Sequence, residues 1–399
     1  MFRVCALLFF ALCLSACATT PGDEPAPVTS RTPDRTLPFP GDIVDVPVAG
    51  IGAAMGPIAP EPDLDRPDPF DGLSGWANAD LQPALHAFRR SCAVFAKRAD
   101  ARALIKAKPA YGTYADWASV CDAADHATHA RPFFESLFTP ASLSAETGLL
   151  TGYYEPEVEV RTEPDSVHSE PILTLPGNPA TRKLPRARLN ARSAPVIAYG
   201  RPIEVFFLHI QGSGRLHFPD GRTTRVGYAG NNGKPYTSIG RVLIERGELT
   251  RDNSGKRNIE AWMDAAGPDA TRALMNENRR YIFFAERDIE AGEGPIGAMQ
   301  VPLTAMGSVA VDPAHKPYGV PVWLDTRLPR HARDYKGAVT SLLVVTQDTG
   351  SAIKGDLRGD LFFGAGSDAG AKAGVMKHRV RWTVLLPHGL ATRLQEPQA

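Results

Sequence analysis

The sequence predicts a mainly β fold with N-terminal helices. Three observations carry the prediction. From residue 281 onward, short apolar runs recur between Gly and Pro with few helical signals between them, the spacing of a small closed barrel. Between residues 76 and 127 apolar side chains recur at helical steps instead. Between residues 204 and 228 lies a separate β-like stretch with its own turn.

The elements follow in order. Residues 76–99 read as a helix, because Leu81, Leu85, Phe88, Cys92 and Phe95 share one face of a 3.6-residue period. A second helix, Tyr114 to Ala127, carries Trp117 and Cys121. Leu149 to Val160 has β character, limited by Pro156 to an edge or a strand end. Residues 161–200 are polar and Pro-rich, with little regular structure expected. Glu204 to Gln211 reads as a strand. Leu216-His217-Phe218 then runs into the turn Pro219-Asp220-Gly221-Arg222 and returns over Thr223 to Tyr228. A helix capped by Thr237 or Ser238 stops at Gly247, and further helix is expected at 257–265 and 269–276, divided by Gly267-Pro268. The barrel strands are expected at Tyr281–Ala285, Ala298–Pro302, Ser308–Val311, Val320–Leu324, Ser341–Gln347, Leu361–Phe363 and Val380–Leu386.

Charge and the first residues bound the setting. The 399-residue chain has a formal net charge of zero, so the basic footprint of a nucleic-acid binder is absent and no nucleic-acid partner is expected. A neutral balance suits a polymer whose backbone is sugar rather than phosphate. Residues 1–16 place Arg3 before the apolar run Val4 to Leu14, too short to span a membrane and read as an export signal. Leu14-Ser15-Ala16-Cys17 resembles a bacterial lipobox, which implies a diacylated Cys17 as the new first residue; a small-residue cleavage site with a chance cysteine is the alternative. Two acyl chains anchor stably where one does not. Ala18 after the cysteine implies the outer membrane, at its periplasmic face. Residues 17–66, dense in proline, form a tether.

Export implies an oxidising compartment. Cys5 and Cys13 leave with the signal and Cys17 carries lipid, so Cys92 and Cys121 remain as a disulfide pair, or else as two buried thiols. The bridge would staple the two helices and add roughly 3–4 kcal/mol on the chain-entropy account.

Several chemistries are excluded. Gly212-Ser213-Gly214 has the wrong spacing for a nucleophile elbow. Gly233-Lys234 is followed by Pro235, so it is not a phosphate loop. His126 and His129 with Asp122 and Asp125 read as solvated polar residues of a helix rather than metal ligands. No metal and no cofactor are expected. The informative segment is Gln347 to Gly364. Asp348 ends an apolar strand and Asp360 begins another, directly against Leu361, Phe362 and Phe363. Asp between strands most often caps a turn, and Asp356 fits that role best. Asp360 beside aromatic bulk is desolvated, which raises a carboxyl pKa and keeps a proton available for a leaving oxygen.

Val311-Asp312-Pro313, Thr346 to Gly355 and Gly359-Asp360-Leu361-Phe362-Phe363-Gly364 resemble the 3D domain, whose three aspartates fall on Asp312, Asp348 and Asp360. Leu150-Thr151-Gly152-Tyr153-Tyr154-Glu155-Pro156, Phe207 to Gly214, Gly227 to Tyr236 and Tyr281-Ile282-Phe283-Phe284 are similar to motifs of the membrane-bound lytic murein transglycosylase A family. The likeness covers roughly residues 75–390. It implies a double-psi β-barrel built from residues 67–158 and 287–390, with a smaller β domain inserted at 159–286 and a groove between them.

By the same resemblance Asp360 is the catalytic acid and base, while Thr151, Gly152, Tyr153, Gln211, Gly212, Ser213 and Asp348 bind substrate. Peptidoglycan glycan strands are the implied substrate, and cell-wall synthesis or division complexes the implied larger partners. The implied reaction is exolytic cleavage of the β-1,4 bond between N-acetylmuramic acid and N-acetylglucosamine, leaving 1,6-anhydromuramyl ends. One departure is an extra residue or so at Asp356-Leu357-Arg358-Gly359, which makes Asp356 a rival to Asp360. A hydrolase of the same glycan would need a second carboxylate, from Glu155, Glu157 or Asp348. A non-catalytic glycan-binding envelope protein would need none.

Overall fold

The computed structural model describes residues 70–98, 100–142, 146–250, 254–288 and 292–395. The export, lipid-attachment and tether readings fall on residues 1–66 and lie outside the described residues. No helix among the described residues is long and apolar enough to cross a membrane.

Three helices open the described fold: α1 (Gln82–Phe95), α2 (Tyr114–His126) and α3 (Ala130–Leu137). The expected stripe of α1 is inside, with Leu85, Phe88, Cys92 and Phe95 buried. α2 begins with a reciprocal cap, Thr113 against Asp116, which satisfies backbone N–H groups that a helix start leaves open. Cys92 and Cys121 are joined in a disulfide that staples α1 to α2. Phe88, Trp117, Phe134 and Phe138 fill the space beneath them. The amide of Gln347 donates to the Ala87 carbonyl (2.7 Å) and to Ser91 (2.9 Å), tying α1 to a barrel strand. Of these elements α3 was not foreseen.

The strands, in chain order, are β1 (Phe138–Ala141), β2 (Gly148–Glu155), β3 (Glu157–Arg161), β4 (Glu170–Leu173), β5 (Val196–Gly200), β6 (Ser213–His217), β7 (Thr223–Asn231), β8 (Ile282–Arg287), β9 (Ser308–Val311), β10 (Pro321–Leu328), β11 (Ala338–Asp348), β12 (Arg358–Ala365) and β13 (Lys377–Pro387). The order β13-β10-β11-β9-β12-β2 returns to β13, so six strands close into a barrel and leave no edge among themselves. β1 pairs with the far part of β13. Val309, Val311, Leu324, Val344, Leu361 and Val384 pack in one core with the N-terminal helices. The expectation of a mainly β fold with early helices, a closed barrel and a second β unit holds.

The second sheet, β4-β5-β3-β6-β7-β8, lies between β2 and β9 in the chain. A single bridge between Thr174 and Phe284 brings its two outer strands together. Its helices are α4 (Pro179–Arg182), α5 (Pro202–Gln211), α6 (Ile239–Glu245) and α7 (Lys256–Glu277). Ser238 caps α6 as one of the two expected residues, and α7 is kinked at Gly267 where the break was expected.

Three expectations are corrected. Glu204 to Gln211 is not a strand but most of α5. Pro202 opens this helix, where its missing N–H is harmless, and Gly212 ends it at a φ of 82°. The run is apolar on all sides because it is sandwiched: Val205 and Leu208 pack on the sheet, Phe206 and Phe207 on α6 and α7. Residues 161–200 hold β4, α4 and β5 rather than loop. Ala298 to Pro302 makes no strand, only a bridge from Ile296 to Pro302. Two late helices, α8 (Gly366–Ala373) and α9 (His388–Gln395), were also unforeseen.

Candidate active site

The barrel register gathers the site. On β9, Ala310 is opposite Asp348 of β11 on one side and Asp360 of β12 on the other. Two strand spacings therefore separate the two aspartates, about 10 Å between backbones. β2 is the next strand across, in parallel register, with Thr151 beside Asp360 and Tyr153 beside Phe362. Alternation along β2 sends Thr151 and Tyr153 to one face. Gly152 faces the other way, where a Cβ would meet Phe363 at 2.6 Å and the Ala373 backbone at 2.9 Å. Its bareness lets α8 lie against β2.

Asp360 is enclosed by protein yet keeps an edge open to solvent. The Thr151 hydroxyl donates to its Oδ1 at 2.5 Å. Arg358, two residues earlier on β12 and so on the same face, donates from Nη2 to Thr151 Oγ1 at 2.7 Å. Its other terminal nitrogen donates to the Gly359 carbonyl. Burial pushes the Asp360 carboxyl up to about 6, with Asp348 adding to the rise, against the opposing pull of Thr151 and Arg358. Arg358 itself is shifted downward by burial, with Asp360 opposing.

Asp348 differs in its partners. Its Oδ2 accepts from the Tyr153 hydroxyl at 2.9 Å, and its Oδ1 accepts from the Ala298 N–H at 2.9 Å. Burial raises its carboxyl too, although these hydrogen bonds and the Thr349 N–H oppose the rise. The Tyr153 ring packs on Phe362 with centroids 5.2 Å apart, so its hydroxyl is aimed by the barrel. The Ala298 N–H comes from the segment that makes no strand. Gly297 N–H to Val301 (2.9 Å) and Met299 N–H to Gln347 (3.0 Å) hold that segment in place.

The other acids are engaged. Asp356 forms ion pairs with Lys108 at 2.5 Å and Lys316 at 2.7 Å. Burial acts upward on its carboxyl, but the two lysines carry it below the usual range. Asp312, the first of the three aspartates, accepts from Gly355 N–H (2.9 Å) and Ala314 N–H (3.2 Å) and latches the loop that leads to β12. Glu155 is fully buried between Arg215 at 3.0 Å and Arg225 at 2.6 Å, two arginines of the second sheet. Glu157 is exposed, 3.7 Å from Arg215.

Gln211, Gly212 and Ser213 lie where α5 turns into β6. The Gln211 side-chain oxygen accepts from the Tyr154 N–H at 3.2 Å, which brings this turn against β2. Gly212 has open space at its Cα. Among the described residues no hydrogen bond joins these three to Asp360, so the predicted set divides into Thr151, Tyr153, Asp348 and Asp360 together and the α5–β6 turn beside them. The sequence reading missed Arg358 and Ala298 as members. The two-residue step from Arg358 to Asp360 was the available signal for Arg358; nothing marked Ala298. Among the described residues no group of three or more histidine, cysteine or carboxylate side chains is gathered as metal ligands.

Residues 181–285 match the MltA specific insert domain and residues 307–386 match the 3D domain. The membrane-bound lytic murein transglycosylase A of Vibrio cholerae is 33% identical over 276 residues, covering 68% of this chain and 73% of that protein. A membrane-bound lytic murein transglycosylase from Agrobacterium tumefaciens has a solved structure that matches with a TM-score of 0.71 at 31% identity, over 82% of this chain and 99% of that one. The E. coli MltA solved with bound chitohexaose matches at a TM-score of 0.61 and 26% identity, over 76% of this chain and 89% of that one. With its insert, its 3D region and a relative of this identity across most of both lengths, the chain belongs to the membrane-bound lytic murein transglycosylase A family.

Proposed function

We propose that this protein is a peptidoglycan lytic transglycosylase in which Asp360 alone serves as general acid and then general base. The bond cleaved is the β-1,4 link between N-acetylmuramic acid and N-acetylglucosamine. The observation that carries this reading is a carboxyl raised to about 6 whose Oδ1 accepts from Thr151 while Oδ2 accepts no hydrogen bond among the described residues. A proton on Oδ2 passes to the glycosidic oxygen as the C1–O bond breaks, and the N-acetylglucosamine side leaves as an alcohol. The ionised Asp360 then takes the proton from the muramyl C6 hydroxyl as O6 bonds to C1. Atoms balance without water, and the acid is regenerated. Nucleophile and electrophile share one sugar, which supplies proximity. The bound chitohexaose of the E. coli relative, a chain of amino sugars, supports a glycan occupant for the groove between barrel and inserted domain, with Thr151, Tyr153, Gln211, Gly212, Ser213 and Asp348 around it.

A hydrolase would need a second carboxylate free to activate water at a set distance. Glu155 is held by two arginines and both oxygens of Asp348 already accept hydrogen bonds, which favours the transglycosylase reading. We also propose export, lipid attachment at Cys17 and an outer-membrane, periplasmic location; the curated relatives are named membrane-bound. Replacing Cys17 by Ala should then release the protein into the soluble periplasmic fraction.

The deciding experiment is mass spectrometry of fragments released from purified sacculi by wild type and Asp360→Asn. Anhydro ends, lighter by one water than hydrolysis products, are expected from wild type and not from the variant. Hydrated ends from wild type would overturn the ring-closing step, and anhydro ends from the variant at the normal rate would overturn the role of Asp360.

A further inference from the structure

Arg358 makes no hydrogen bond to Asp360 among the described residues; its hydrogen bond goes to Thr151, beside the direct pull of its charge. A guanidinium has five N–H donors and no acceptor. When it donates to Thr151 Oγ1 at 2.7 Å, the single hydroxyl proton of Thr151 must point elsewhere, and the 2.5 Å contact to Asp360 Oδ1 is where it goes. We propose that Arg358 is a positioning residue that fixes the Thr151 hydroxyl as a donor to Oδ1 and so confines the transferable proton of Asp360 to Oδ2. The inference rests on the reading of Asp360 as the acid. Its content is different: a neutral carboxyl beside an unconstrained hydroxyl can give its proton to that hydroxyl instead of to substrate. The arginine removes that option. The same contact stays favourable in the second half of the reaction, when Asp360 is an anion and Thr151 still donates to it.

The groups facing Asp360 are few. Asp348 approaches from β11, and Tyr153 and Thr151 from β2. On β9 the neighbours are Val309 and Ala310, with Asp312 beyond them held by backbone N–H groups. On β13, Lys377 is opposite Thr151 in register. On α8, which packs on the other face of β2 at Gly152, Asp368 and Lys372 pair with each other at 2.7 Å. Arg358 donates to the Thr151 hydroxyl oxygen.

The test is the pH dependence of kcat and kcat/KM on purified sacculi for Arg358→Met, Arg358→Lys, Thr151→Val and the Met–Val double variant. Arg358→Met should move the alkaline limb upward by about one pH unit and lower kcat about tenfold, because the positive charge is lost and Thr151 becomes free to accept the carboxyl proton. Arg358→Lys, which keeps a charge and a donor, should stay within about threefold of wild type. In the Thr151→Val background Arg358→Met should lower kcat by less than about twofold, since the link it acts through is already cut. An arginine acting by charge alone would instead produce equal losses in both backgrounds, and that result overturns the proposal. So does an Arg358→Met profile that matches wild type. If Arg358→Met does not fold, Thr151→Ser against Thr151→Val decides: serine should keep the wild-type limb and valine should raise it, and equal limbs overturn the proposal. Asp360→Asn runs alongside. Full activity there would bring down the acid assignment itself, whereas an inactive Asp360→Asn with an unmoved Arg358→Met refutes the positioning role alone.

Discussion

Two carboxyls sit at the two ends of one short stretch of β2; burial raises both, and they are given different partners. Beside Thr151, Asp360 has one neutral donor and an arginine held off behind it. At the strand end, Glu155 lies between Arg225 and Arg215, with Arg225 further anchored by donating to the Glu293 carbonyl at 2.7 Å. Removing a carboxylate from water is unfavourable in both places. At Glu155 burial raises the carboxyl as well; two guanidiniums oppose that rise without cancelling it, and the chain gains a fixed crossing from the barrel to the second sheet. At Asp360 no ion pair forms among the described residues, and burial carries the carboxyl to about 6. Burial and a raised carboxyl are shared by Asp360, Asp348 and Glu155; what sets Asp360 apart is the lack of an ion pair and an Oδ2 that accepts no hydrogen bond among the described residues.

The largest expected break of this comparison is in rate. Asp360→Asn should lower the yield of anhydro products about 10²–10⁴-fold, the range that positioned proton transfer contributes. Wild-type kcat/KM should fall as pH rises through about 6, because in the proposed mechanism the neutral form donates. Glu155→Ala should act on stability instead. It leaves Arg225, whose side chain is only 10% exposed, without its partner, and the urea-derived stability should drop by about 3–5 kcal/mol. A smaller effect of opposite sign is expected from Asp360→Asn. A carboxyl carried from 3.8 to about 6 favours the folded state fully below its unfolded value, and that contribution is lost as pH rises through 6. The amide does not ionise, so the variant should exceed wild type at pH 7.5 by up to about 3 kcal/mol and match it near pH 3. Melting curves of both variants at the two pH values measure the contrast, and equal signs would sink it.

The barrel strands, α1, α2 and the break in α7 were legible because each is set by local pattern: period, proline or a glycine stop. α5 was not. A run of Val205, Phe206, Phe207 and Leu208 buried on all sides carries no period, so strand and helix look alike over that length. The punctuation at Pro202 and Gly212 held the answer. In the site, Asp360 and Asp348 were legible as aspartates at strand ends, and the resemblance supplied their roles. The Ala298 N–H was not, since a backbone donor carries no side-chain signature. Gly152 was expected beside substrate; what a side chain there would occupy is filled by Phe363 and α8. Which face of a strand meets a helix is decided by tertiary packing, and one strand read alone does not record it.

Asp356 gives the smallest effect and the sharpest contrast with Asp360, because it stands on the loop that leads into the strand carrying Asp360 and the two were rivals in the sequence. Asp356→Asn should leave the anhydro yield within about twofold of wild type, since its carboxyl is committed to Lys108 and Lys316. Lys316 is nearly buried, with its ammonium 4.7 Å from the Trp382 ring, and an asparagine oxygen can still accept from it. Asp356 is substantially exposed, so the loss in stability should be small, about 1 kcal/mol. Its sign with pH runs opposite to that of Asp360. A carboxyl held below its usual range stabilises the fold above the unfolded value, and the contribution disappears as pH falls through the folded one. Thermal melts should therefore separate Asp356→Asn from wild type at pH 7 and bring the two together in acid below that folded value. A variant that kept its melting point at pH 7 but lost the anhydro product would reverse the assignment of the two aspartates.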